Sequence, residues 1–226
     1  TAGPAARSGG AYTGVAPGAA ITAVRVLARD GRGNVSDVIA GLDWVLANRW
    51  THNFKIVNLS LGKAVEQPRA LDPLVLAAEA VWDAGLVVVA SAGNHGVDGA
   101  FHITSPGNSA KLITIGSLTD KGTGSNFTDD FVSSFSSRGP TAYDHYMKPD
   151  ILAPGNRIVA SISPRAELKT LLPSNVTSCG TGCTGEYLEL SGTSMSAGVV
   201  SGAVALMLTE DSQDNDTIKA RLMRSA

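Results

Sequence analysis

The sequence predicts an α/β fold, a mostly parallel sheet with helices on both faces, and three observations support the prediction. Runs of β-favouring residues alternate with stretches of helical periodicity in the order strand, helix, strand, helix, strand, the pattern of βαβ units. Leu86 to Ala90 is almost all valine, as expected of a parallel strand covered on both faces. The chain has 226 residues, 43% of them hydrophobic, which suits one domain with a sizeable core. Crossovers in such sheets are right-handed, and functional sites lie beyond the carboxyl ends of the strands.

The elements follow in chain order. Residues 1–20 are small and glycine-rich. Ile21 to Leu27 is a β-rich run and reads as a strand; Asp30-Gly31-Arg32-Gly33-Asn34 reads as a loop from its turn residues. Ser36 to Asn48 carries Val38, Leu42, Val45 and Leu46 at helical spacing. Ile56 to Leu61 reads as a buried strand, and Asp72 to Ala84 as a second helix with Gly85 as its C-terminal cap. The valine strand and a short strand from Leu112 to Ile115 come next. Beyond Ile115 the pattern is less regular: residues 135–141 and 148–155 hold prolines and glycines that fix turns, and residues 163–186 read as a long polar loop. Tyr187 to Leu190 is β-favouring, runs into Gly192, and gives way to a helix reaching Leu208; Thr217 to Ser225 reads as the final helix.

Composition narrows the function. Net charge is −2 and only 17% of residues are charged, so neither a nucleic acid nor an anionic membrane surface is an expected partner. No apolar run reaches the roughly 18 residues of a membrane span. The only cysteines, Cys179 and Cys183, are too few for a zinc site and too far apart for a two-residue redox motif. They read as a small disulfide staple, with two free thiols as the alternative; a staple would imply an oxidising, extracellular setting. Gly180 to Gly185 spells the dinucleotide fingerprint, but it neither follows an expected strand nor opens a helix. There is no Gly-x-Ser-x-Gly elbow and no phosphate-binding loop.

The strand, turn and helix around Gly192-Thr193-Ser194 would put Ser194 at a helix N-terminus, where free N–H groups favour negative charge. Taken alone, Thr193 or Ser194 reads as a plain helix cap. Two further stretches change that reading. Gly192 to Ala197 resembles the serine motif of the subtilisin-like serine proteases, the subtilases. Leu86 to Gly96, with Ala92-Gly93-Asn94, resembles their oxyanion-hole strand, and Val57-Asn58-Leu59-Ser60-Leu61-Gly62 resembles their substrate-pocket strand. All three occur in the family's order.

The resemblance implies a three-layer subtilisin-like fold and a serine endopeptidase acting on protein or peptide substrates. It makes Ser194 the nucleophile and Asn94 the oxyanion donor beside the Ser194 N–H. Ser60, Leu61 and Gly62 would form one wall of the substrate pocket and Ala90 to Gly93, with Ala92 and Gly93, the other. These walls carry no charge, so a large apolar side chain is the expected substrate residue; Thr104, if it fills the floor, would favour Leu and Met over Phe and Tyr. The loop with Gly31 and Gly33 would lie beside the substrate as an added strand.

The same resemblance places the catalytic Asp and His before Gly14-Val15-Ala16-Pro17, and Thr1-Ala2-Gly3 looks like the tail of the histidine motif. His52, His95, His102 and His145 all come too late in that order, with His95 expected at the pocket edge. Gly198 stands where the family usually has proline. Asp150 matches a position that joins a weak cation site in some relatives, but reads here as a solvated or turn-capping residue. The expectation is therefore a single subtilase domain over 1–226, cut at both ends, secreted, monomeric, with no cofactor and no metal ligand assigned; calcium is conceivable as a structural ion with no place given to it. The alternatives are a non-catalytic subtilase-like binding or scaffold protein, and one chain of a split protease.

Overall fold

Helix α1, Val35–Asn48, buries Val38, Leu42 and Val45, the face its periodicity marks out. Helix α2, Pro73–Asp83, starts where Asp72 accepts the Leu74 N–H at 3.0 Å and proline takes the first helical position. It ends before Gly85, whose φ of +89° turns the chain back toward the sheet. These details belong to a computed structural model that describes residues 12–123, 126–178, 186–210 and 213–226.

The main sheet contains parallel strands β1 (Ile56–Leu59), β2 (Val87–Ser91), β3 (Ile113–Thr119) and β5 (Ile151–Pro154). The two-residue β4, Phe131–Val132, pairs antiparallel with the end of β3. Every residue of β2 is buried, as its valine run requires. Helix α4, Thr193–Glu210, crosses β1, β2, β3 and β5. Its Gly198, Ser201 and Gly202 are buried, small enough for close approach to the strands. Helices α1 and α2 pack on each other and α2 on β2, giving a three-layer α/β fold. A second sheet holds β6 (Ile158–Ile162), β8 (Glu186–Leu190) and β7 (Val176–Ser178), all antiparallel. Helix α5, Asn215–Ser225, docks by Ile218 and by Asn215, which donates to the carbonyls of Trp82 and Leu86.

Three expectations need correction. Ile21 to Leu27 is not a strand: among the described residues its backbone has no ladder partner, and Ile21 is 48% exposed. A cleft of about 790 Å³ separates this run from β1, which among the described residues pairs only with β2. A β pattern becomes a strand only when another edge lies within hydrogen-bonding reach. The stretch expected as one long loop contains the short helix α3, Leu168–Leu171, a 3₁₀ turn at Pro173–Asn175, and β7. Asp150 is neither solvated nor a simple cap. Its side chain is 5% exposed and is bound by Lys148, Lys219 and the Thr114 N–H. Among the described residues no helix is long and apolar enough to cross a membrane.

Candidate active site

The ends of β1 and β2 and the start of α4 meet at one place. Strand β8 leads through Gly192 into α4, so Ser194 is the second residue of that helix. Its N–H has no acceptor within the helix. The Ser194 hydroxyl donates to the Ser60 carbonyl at 3.3 Å, and the Ser60 hydroxyl donates to the Ser194 carbonyl at 2.9 Å. Asn58 donates to the Ser60 hydroxyl and accepts from Ser201 of α4, tying the end of β1 to the helix at a second point.

Asn94 follows β2 in the turn Ala92-Gly93-Asn94. Its side-chain oxygen accepts two hydrogen bonds from one residue, the Thr193 N–H at 2.9 Å and the Thr193 hydroxyl at 3.0 Å. That fixes which end of the amide points where. The nitrogen Nδ2 has no hydrogen-bond partner among the described residues and lies against Gly192, where an added Cβ would come within 3.3 Å of it. Thr193 also accepts the Gly93 N–H at 3.2 Å. Sequence reasoning read Thr193 as a helix cap; its residue type was the only signal for this anchoring role.

Thr104 joins the two stretches expected as pocket walls, Ser60–Gly62 and Ala90–Gly93. Gly62 and Gly93 both approach its side chain so closely that a Cβ on either would lie within 2.8 Å of it. Thr104 is buried and donates its N–H to the Ala92 carbonyl at 3.0 Å, while Lys63 and Ser105 exchange backbone hydrogen bonds alongside. Ser60, Gly62, Ala92 and Gly93 are thus gathered around Ser194 and Asn94, and Leu61 packs partly on the core between them. Gly31 and Gly33 lie in an exposed turn closed by the Ala28–Arg32 backbone bond; among the described residues no hydrogen bond joins it to Ser194 or Asn94. Cys179 and Cys183 lie outside the described residues. His95 pairs with Asp98 at 3.3 Å and lies 6.4 Å, ring to ring, from His102. His52 stacks on Phe54, and His145 meets Phe101 edge-on. Gly198 is buried within α4, and the helix starts at Thr193 without a proline there.

The pattern described as Peptidase_S8, Subtilase family, matches residues 1–226. The chain belongs to the subtilase family. This subtilase is 41% identical over 214 residues to "Serine protease AprX" of Bacillus subtilis strain 168, covering 91% of the chain and 46% of that protein. It is 29% identical to "Subtilisin E" of the same organism, over 94% of the chain and 45% of the relative. The subtilase chain therefore spans about half the length of these curated relatives. Its fold is that of the solved "Sphericase", with a TM-score of 0.76 at 26% identity, over 100% of this chain and 67% of the other. The "S41 Psychrophilic Protease" gives 0.73 at 25% identity, covering 99% and 66%.

Proposed function

We propose that this subtilase chain is the nucleophile-bearing portion of a secreted serine endopeptidase. Ser194 attacks the peptide carbonyl, and the oxyanion is held between the Ser194 N–H and the Asn94 amide. The observation that carries this reading is the double anchoring of the Asn94 oxygen on Thr193, which leaves Nδ2 without a partner among the described residues and against Gly192, two residues before the nucleophile. A donor fixed before the charge develops needs no reorganisation in the transition state.

The proton acceptor is a histidine, oriented by an aspartate, from outside these 226 residues, because all four histidines present have other surroundings and none hydrogen-bonds to Ser194 among the described residues. The open edge of β1 supports this reading, since the cleft beside it suits a further parallel strand, and that strand would bring the aspartate. The substrate is a protein or peptide with an apolar residue seated between Ser60–Gly62 and Ala90–Gly93. The enzyme acts as a monomer with no cofactor and no nucleic-acid partner. The relative named "Extracellular serine proteinase" from Thermus sp. supports secretion.

A fluorophosphonate probe tests the reading. The full-length protein is expected to label at Ser194 and digest casein, Ser194→Ala to do neither, and the 226-residue chain alone to be inert. A full-length protein that neither labels nor digests would favour a non-catalytic binding role; activity on adding a separate His-bearing chain would favour a split protease.

A further inference from the structure

The backbone carbonyls of Ala110, Lys111 and Leu112, just before β3, turn toward a single point. Lys219, on helix α5, places its ammonium there and donates to all three, at 2.9, 3.0 and 2.9 Å. Asp150 Oδ1 lies 3.4 Å from the same nitrogen. From the other side the Lys148 ammonium donates to the Leu112 carbonyl at 3.0 Å and to Asp150 Oδ2 at 2.6 Å. The Thr114 N–H adds a bond to Oδ2 at 2.7 Å. Lys148 and Asp150 are almost fully buried, and the Lys219 side chain is 15% exposed.

Three convergent carbonyls and a carboxylate are the oxygen set of a hard cation. Calcium takes 6–8 oxygens at 2.3–2.6 Å. It does not fit here: two ammonium groups already fill the space between these oxygens, and a divalent ion would meet their charge at contact distance. An ammonium has three N–H donors, and Lys219 uses them on three carbonyls. We infer that Lys219 and Lys148 are a built-in cation, holding an oxygen cage that would otherwise take calcium. Because the charge is covalently tethered, the junction of β3, β5 and α5 is independent of calcium supply. Removing both lysines converts the cage into a calcium site formed by the Ala110, Lys111 and Leu112 carbonyls with Asp150.

Equilibrium dialysis with radioactive calcium tests this on the intact protein. Lys148→Met with Lys219→Ala is expected to bind one more calcium per chain than the parent, and adding Asp150→Asn removes it. Equal stoichiometry in parent and double variant overturns the inference. Two measurements need no variant. Hydrogen exchange at the Thr114 amide of the parent is expected to be the same in calcium and in EDTA; protection lost in EDTA overturns it. An amine-reactive reagent that fully modifies exposed Lys55 and Lys121 is expected to leave Lys148 and Lys219 untouched. Modification of both at the rate of Lys55 overturns it equally.

Discussion

Thr104 offers the sharpest test of the pocket. Its side chain fills the space between Gly62 and Gly93, with Oγ1 toward one wall and Cγ2 toward the other. Under the proposed function, a substrate side chain entering between Ser60–Gly62 and Ala90–Gly93 would stop against it. Leu and Met fit above such a floor; Phe and Tyr carry about three more carbons that need depth. Each buried methylene is worth about 0.8 kcal/mol, so excluding those carbons costs the larger side chains roughly 2 kcal/mol. Discrimination between apolar side chains in a pocket spans about 10–200-fold, and this lies within that range. Thr104→Gly empties the floor. The kcat/KM ratio for otherwise identical peptides with Phe or Leu before the cut is expected to rise by roughly 10- to 30-fold in the variant. The assay is hydrolysis of paired chromogenic peptides by the full-length enzyme. Because the readout is a ratio within one protein, loss of folded enzyme cancels. A ratio unchanged by Thr104→Gly, with both substrates still cleaved, refutes Thr104 as the floor. Dominant cleavage after Lys or Arg refutes the uncharged pocket itself.

Other tests address the remaining parts. Asn94→Ala is expected to lower kcat by about 10²–10³ with little change in KM, a magnitude taken from subtilisin's own oxyanion asparagine rather than worked from this chain; single-turnover kinetics check it. Thr193→Val removes one of the two anchors on Asn94 and leaves the half-buried Gly93 N–H unpaired. It is expected to cost about 1–3 kcal/mol of stability by denaturant midpoint and a smaller part of kcat than Asn94→Ala. Burial pulls the Lys148 ammonium from the ordinary 10.5 down to about 8, Asp150 opposing and Lys219 reinforcing the shift. The unfolded chain then binds more protons between pH 8 and 10.5, so this residue makes stability rise with pH through that window, by about 3 kcal/mol in all, and contributes no slope below pH 8. Midpoints of parent and Lys148→Met from pH 7 to 11 should differ by that rise; parallel curves would contradict it.

The valine run, the helix from Thr193 and the turn at Gly85 were legible because each depends on local chemistry: an apolar run, helical periodicity, a turn glycine; the capping carboxylate of Asp72 was read as the first helical residue instead. Ser194 and Asn94 were singled out by the motifs around them, and the structure brings the two segments together through Thr193. The misread segments depend on partners that a linear pattern does not name. Ile21 to Leu27 has strand composition, but strand structure also needs an edge in reach, and its side faces a cleft. Asp150 sits beside a lysine two positions away in sequence, yet its other lysine is Lys219, from a helix that begins 65 residues later. Thr193 looked like a cap because its true partner, Asn94, is 99 positions distant. Side-chain hydrogen bonds of that span leave no periodicity to read.

Those long spans have a consequence for synthesis. Ser60 and Ser194 are 134 positions apart, and Asn94 and Thr193 are 99 apart. Closing such loops costs entropy that is recovered only when the distant contacts form, so assembly of this corner comes late in folding. The order of residues sharpens the effect. A chain emerging from the ribosome carries both pocket walls and Asn94 long before the helix that fixes them. Until Thr193 and Ser194 arrive, the amide of Asn94 is free to rotate and there is no hydroxyl to activate. Under the proposed chemistry, the nascent polypeptide is harmless to its neighbours by construction, and competence appears in one step with the docking of α4.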